Sequence, residues 1–266
     1  MLKNTLIPVS EFVTRREQLL AKLPNNSAAL FPAGREVTRS NDTEYLFCQN
    51  KNFYYLTGFN EPDALLVLIK GTDEQPNQSI LFCRDKDPLQ EVWHGRRIGA
   101  DLAQRDYLFT HCFSVSDIDT HLTDFLDGKD SVHVCQGESN EFDQQLLVWL
   151  QQLKAASRQG KIAPNAIVDC SHIIHDLRIF KSAAELSVMR QANVISGHAH
   201  QRAMEKTYEG KFEYQIEAEI LHEFARNGAR YTAYNSIVAG GDNGNILHYT
   251  ENEDVLINGD WLLIDA

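Results

Sequence analysis

Ten histidines and thirty-seven carboxylates in 266 residues offer many candidate metal ligands, so spacing has to select among them. His172 and His175 stand three apart, and His198 and His200 two apart. Neither pair belongs to an H-E-x-x-H run, the pattern that puts two imidazoles and a base on one helix face. His198 and His200 point to different sides of a helix and read as surface residues, while His172 and His175 read as packing or capping residues beside a domain junction. Asp265 is different, because it directly follows Leu262-Leu263-Ile264, where a buried strand would set a carboxylate at a core edge. A buried carboxylate needs compensation by a metal, an arginine or a helix N-terminus, and spacing leaves metal ligation and structural pairing both open. His248, within Ile246-Leu247-His248-Tyr249, raises the same question on a neighbouring strand candidate. Taken alone, a strand histidine is more often a satisfied core residue than a catalytic one.

Nucleophilic chemistry has little support. There is no G-x-S-x-G elbow, and Cys48, Cys83, Cys112, Cys135 and Cys170 are odd in number, widely spaced and without a C-x-x-C pair. That pattern fits reduced, mostly buried thiols in a cytoplasmic protein, and neither a disulfide framework nor a zinc site. Gly240-Gly241-Asp242-Asn243-Gly244 lacks both the Walker lysine and the G-x-G-x-x-G order, so it reads as a turn. Trp93-His94-Gly95-Arg96-Arg97 joins an aromatic plate to two guanidinium groups, and fits either a solvated turn or the wall of a binding site or subunit contact.

Elements have to position these residues, and the composition says they can. With 43% hydrophobic and 23% charged residues the chain is an ordinary globular one of one or two domains. A net charge of −12 repels phosphate backbones and anionic lipid, which argues against nucleic-acid and membrane roles. The first residues lack a secretory-signal pattern, and no apolar run approaches the ~20 residues of a membrane span.

Apolar spacing predicts a surface helix over Glu11 to Leu23, stopped by Pro24-Asn25-Asn26. Strand-length runs follow at Ser27 to Phe31, Phe53 to Leu56, Ala64 to Ile69, Ser79 to Cys83 and Ser131 to Cys135, with helices near Ser116 to Leu126 and Glu141 to Ala155. These make an α/β unit over residues 1–174. In residues 175–266, Ser182-Ala183-Ala184-Glu185 fits a capping box. The helix it opens carries Leu186, Met189, Ala192, Ile195, Ala199 and Ala203 on one stripe. A second helix spans about Tyr214 to Arg226, and strands are expected at Tyr231 to Val238, Ile246 to Tyr249 and Trp261 to Ile264, an α+β module. The sequence closes inside this last apolar run at Ala266, so a fragment of a longer protein is expected.

Several segments, in order along nearly the whole chain, resemble the Xaa-Pro aminopeptidase (aminopeptidase P) family of bacterial type. They are Glu36-Val37-Thr38-Arg39-Ser40, Tyr55-Leu56-Thr57-Gly58-Phe59-Asn60-Glu61-Pro62, Gly95-Arg96-Arg97, Arg178-Ile179-Phe180-Lys181-Ser182 and Gly228-Ala229-Arg230-Tyr231. The most specific is Asn245-Ile246-Leu247-His248-Tyr249-Thr250-Glu251-Asn252 with Leu263-Ile264-Asp265-Ala266 downstream. The resemblance implies an α/β N-terminal domain followed by the first part of an α+β pita-bread domain. It also implies two Mn²⁺ ions held by two aspartates, a histidine and two glutamates, and peptides with proline at the second position as substrates.

Asp265 matches the first of those ligands, and His248 matches the histidine that hydrogen-bonds substrate and stabilises the tetrahedral intermediate. Asp42 and Trp93 match positions that, in the family's tetramer, close a neighbouring subunit's active site. The other ligands fall after Ala266, so the 266 residues by themselves are expected neither to hold the metal pair nor to turn over substrate. A prolidase cutting only dipeptides, a metal-free creatinase-like amidinohydrolase and a non-catalytic assembly module are the alternatives.

Overall fold

The computed structural model describes residues 6–266 and divides them into two compact units, one ending at Lys181 and one beginning at Ser182. The division falls after the 174/175 boundary expected from sequence, because the helix Ser171–Ile179 packs its Ile174 into the core of the first unit.

In the first unit the elements are α1 (Val9–Lys22), β1 (Ser27–Pro32), a small hairpin of β2 (Thr38–Ser40) and β3 (Thr43–Glu44), α2 (Lys51–Thr57), β4 (Leu65–Lys70), β5 (Gln78–Cys83), α3 (Pro88–His94) and α4 (Ala100–Tyr107). Next come β6 (His111–Ser114), α5 (Ile118–Leu126), β7 (Ser131–Val134), α6 (Asn140–Ala155), β8 (Ala166–Asp169) and α7 (Ser171–Ile179). Six strands form one mixed sheet in the order β6-β5-β4-β1-β7-β8. β4 runs antiparallel to β1 and β5, while the β5–β6, β1–β7 and β7–β8 pairs are parallel. Alternate strand residues feed two cores. Ala29, Phe31, Leu66, Leu68 and Leu81 pack with α1, α2, α4 and α7, whereas Ala28, Leu30, Val67, Ile80, Val132 and Val134 pack with α5 and α6. Burial on both faces explains why these strands read as continuous apolar runs rather than alternating ones.

Phe53 to Leu56, expected as a strand, is α2. The Asn50 side chain accepts from the Asn52 and Phe53 N–H groups at the helix start, and Gly58 ends it at φ +63°. Four apolar residues are too few to show a period, so the caps decide. Gly58 is also hemmed in, since a Cβ there would lie 2.4 Å from the Phe12 ring. α1 is tied down by two buried arginines. Arg16 donates to the carbonyls of Leu56, Tyr107 and Leu108 and stacks over Phe109, while Arg15 donates to the Tyr55 carbonyl and to Glu11.

The second unit consists of α8 (Ala183–Lys206), α9 (Glu213–Arg226), β9 (Ile237–Gly240) and β10 (Leu262–Asp265), the two strands being antiparallel. The capping box is formed: Glu185 N–H donates to Ser182 Oγ at 3.2 Å, and Ser182 N–H to the Glu185 carboxylate at 2.8 Å. Of the α8 stripe, only Ala199 and Ala203 are buried, and Leu186 and Met189 are exposed. At ~1.5 Å rise per residue, the shorter α9 covers only part of α8. Two strand expectations are corrected. Tyr231 to Ser236 is irregular, and Ile246 to Tyr249 is a turn, entered through a 3₁₀ segment over Gly241–Asn245 with Ile246 N–H on the Asn243 carbonyl.

Candidate active site

Glu213, the first residue of α9, is fully buried and organises the segment around it. Its Oε1 accepts from Gly240 N–H at 2.6 Å and Asn243 Nδ2 at 3.1 Å. Its Oε2 accepts from the Tyr249 hydroxyl at 2.7 Å and Asp254 N–H at 3.0 Å. Four donors aimed at one carboxylate, at the positive end of a helix, satisfy a charge that burial would otherwise penalise. Burial and the bond to Glu213 push the Tyr249 phenol above its usual range.

Asn252 is the second fixed point. It adopts φ +51°, a region asparagine tolerates better than most residues. Its Oδ1 accepts from Val238 N–H at 2.9 Å, and its Nδ2 donates to Glu217 and to the Ser236 carbonyl, both at 3.0 Å. Side-chain bonds from α9 and from Asn252 thus replace ladder bonds on both sides of His248. This is why a sequence of strand character folds here as a turn.

His248 lies exposed in that turn, directly before the buried Tyr249. Asp265, the last residue of β10, is paired with Ile237 of β9 and is exposed rather than buried. Its Oδ1 accepts a hydrogen bond from the Tyr234 hydroxyl, which raises the Tyr234 pKa. The compensation required from sequence is therefore lighter than expected, a tyrosine and solvent. Asp42 sits exposed at the turn between β2 and β3. Trp93 lies in the last turn of α3, 83% exposed beside exposed Leu89 and Val92, and Gly95 ends that helix. Both belong to the first unit, whereas His248 and Asp265 belong to the second. His172, His175 and His198 are exposed, and His200 bonds through Nδ1 to the Ser196 carbonyl, one helical turn earlier.

Sequence reasoning passed over Glu213, Tyr249 and Asn252 as site-building residues. The local signal for Glu213 is an acid in the first turn of an amphipathic helix, which ordinary surface helices share, and its donors lie at least 27 residues away. Among the described residues, no three His, Cys, Asp or Glu side chains converge where they could hold a cation. Asp265 offers one carboxylate, which does not suffice for a two-ion centre.

Residues 12–135 match the aminopeptidase P N-terminal domain, and residues 187–266 match metallopeptidase family M24. The chain is 47% identical over 256 residues to the Xaa-Pro aminopeptidase of Escherichia coli, covering 96% of this chain and 58% of that protein. With the Xaa-Pro aminopeptidase of Haemophilus influenzae it shares 40% over 261 residues, 98% of this chain and 57% of that protein. The solved structure of zinc-substituted E. coli aminopeptidase P in complex with product superposes with a TM-score of 0.95 at 47% identity, over 97% of this chain and 59% of that one. Proline aminopeptidase P II from Yersinia pestis superposes with a TM-score of 0.95 at 46% identity, with the same coverage. The chain thus spans little more than half the length of the relatives it matches.

Proposed function

The chain belongs to the aminopeptidase P family of M24 metallopeptidases, with an aminopeptidase P N-terminal domain followed by part of a pita-bread domain, and on that premise we propose that the protein carrying it removes an N-terminal residue preceding proline. The observation that carries this reading is the match of both domains, in order, to Xaa-Pro aminopeptidases at 47% identity over 96% of the chain. The bond before proline is a tertiary amide without an N–H donor, so sites that grip an extended backbone through that donor accept it poorly, and a dedicated enzyme is needed.

In this reading His248, held on an exposed turn by its anchored neighbour Tyr249, donates a hydrogen bond to the substrate carbonyl and to the oxyanion that forms from it. Asp265 contributes one carboxylate to a divalent-metal centre, with Mn²⁺ as the proposed metal. On this reading these 266 residues by themselves are not expected to turn over substrate. Asp42 and Trp93 contact a second copy in a homo-oligomer, a role supported by the exposed Leu89, Val92 and Trp93 on α3. No described helix is long and apolar enough to cross a membrane. With all five cysteines free, a cytoplasmic setting is the reading proposed.

The test is hydrolysis of an Xaa-Pro-containing tripeptide by the protein at the length of its relatives, with and without a chelator. Activity should require the divalent metal and should extend beyond dipeptides, which separates the enzyme from a prolidase. Asp265→Asn should remove it, and His248→Ala should lower kcat by about 10²-fold or more. Metal-independent turnover, or cleavage of dipeptides alone, would refute the assignment.

A further inference from the structure

Cys135 and Cys170 are 35 positions apart and carry no shared sequence motif, yet the sheet sets them side by side. β7 and β8 run parallel and end with Val134 opposite Asp169, and the residue that follows each strand is a cysteine. Cys170 N–H donates to the Val134 carbonyl at 3.0 Å, the bond that closes the Val134–Asp169 pair directly beside the two cysteines. Neighbouring strands lie ~4.8 Å apart, within the ~4.4–6.8 Å between Cα atoms that a disulfide spans. Both cysteines belong to the same buried core, on the α1, α2 and α7 side of the sheet.

The surroundings give the two thiols different chemistry. The neighbouring Cys170 thiol, with help from Ser171, lowers the Cys135 pKa against the opposing effects of burial and Glu138. Cys170 holds its proton correspondingly tightly. The chain at Cys135 also borders a cavity of about 720 Å³ whose lining includes Glu138 and Ser139 and, from the α6 side of the sheet, Phe142 and Trp149. At its edge, Asn52 Nδ2 lies 2.7 Å from the Glu138 carboxylate and 4.0 Å from Cys135 Sγ, and Arg178 fixes the Asn52 oxygen at 2.6 Å.

We propose that Cys135 and Cys170 form a reversible oxidation site, a dithiol that closes to a disulfide when a hydroperoxide reaches Cys135. The Cys135 thiolate attacks the peroxide; an S–O bond forms, the O–O bond breaks, and the departing oxygen is protonated to water or an alcohol. Cys170 then gives up its proton and attacks Cys135 Sγ. The S–S bond forms, the S–O bond breaks, and the oxygen leaves with that proton as water. Two thiols are oxidised by two electrons and one hydroperoxide is reduced by two, and a small thiol reductant reverses the change.

The molecule contains its own controls. Cys83 and Cys112 also lie on adjacent strands, but Cys112 pairs with Leu81 and Cys83 with Ser114, so the two are two residues out of register. Burial pushes both thiols up to about 12. Cys48 is free and exposed.

The experiment treats the native 266-residue chain with stoichiometric hydrogen peroxide, alkylates the remaining thiols, and maps the cross-link by digestion and mass spectrometry. The expected result is a Cys135–Cys170 disulfide, a fall from five free thiols to three with a mass loss of about 2 Da, and full reversal by dithiothreitol. Cys135→Ser and Cys170→Ser should each prevent the loss, and Cys83→Ser should not. If a serine variant does not fold, as judged by circular dichroism, the wild-type map and Cys170→Ala decide. Oxidation confined to Cys48, or a pair that closes no faster than Cys83 and Cys112 are oxidised, would overturn the proposal.

Discussion

The two units keep their form by different means. In the first, a six-stranded sheet is covered by helices on both faces, and the largest fully buried side chains among the described residues, such as Phe12, Phe31, Phe53, Phe59 and Phe82, all belong to it. In the second, two strands and two helices bury a smaller apolar cluster, and the turn that carries His248 is organised around Glu213 and Asn252. Apolar burial is non-directional and tolerates exchange, whereas a buried carboxylate with four donors specifies one arrangement. The unit that holds the candidate catalytic residues is thus the one whose loops depend most on a few polar atoms.

Glu213→Ala should break this comparison most sharply. It strips four neutral donors of their shared acceptor, and the loss should be about 3–5 kcal/mol, since each buried donor left without a partner costs about 1–3 kcal/mol. Hydrogen exchange should speed up in α9, β9 and the His248 turn and stay unchanged in β4 and α6. Glu213→Gln, which keeps an acceptor without the charge, should lose less.

Arg16→Ala is the counterpart in the first unit. It leaves the carbonyls of Leu56, Tyr107 and Leu108 without their shared donor and should cost about 3 kcal/mol in a urea melt. Arg16→Lys should recover only part, because an ammonium lacks the planar fork that reaches all three. Gly58→Ala should follow at about 2 kcal/mol, from the positive φ and the contact with Phe12, again read from the first unit's melting.

The smallest effect concerns pH. His133 on β7 is buried, with Nε2 on Ser131 Oγ, and burial, then His172, lowers its pKa below the ordinary 6.5. Below pH 6.5 the unfolded chain takes up a proton that the folded one refuses, so stability is lost as pH falls toward the folded value and is fully present above 6.5. His133→Gln should flatten that slope in the first unit's thermal melts and leave the second unit unchanged.

The sequence showed the layout of the first unit well where strands are buried on both faces, because Ser27 to Phe31, Ala64 to Ile69 and Ser79 to Cys83 read as unbroken apolar runs. It failed at Phe53 to Leu56, where Asn50 and Gly58 as caps outweigh a run too short to be periodic. α3, α4, β6 and β8 are short and partly exposed, and left too little pattern to find. The Ser182–Glu185 box was legible because both partners lie within one turn. Asp265 and His248 stood out by residue type and by resemblance, but the devices that place them did not. Glu213 draws its donors from Gly240, Asn243, Tyr249 and Asp254, and Asn252 reaches back to Val238 and Ser236, contacts that exist only once the chain has folded.

The central claim is that the second unit positions His248 and Asp265 without by itself making a metal centre. Its most direct test is equilibrium dialysis of the 266-residue chain against Mn²⁺, with bound metal measured by mass spectrometry beside turnover of an Xaa-Pro tripeptide. The expected result is no stoichiometric ion pair and no turnover. Two tightly held ions with hydrolysis that a chelator abolishes would contradict the account.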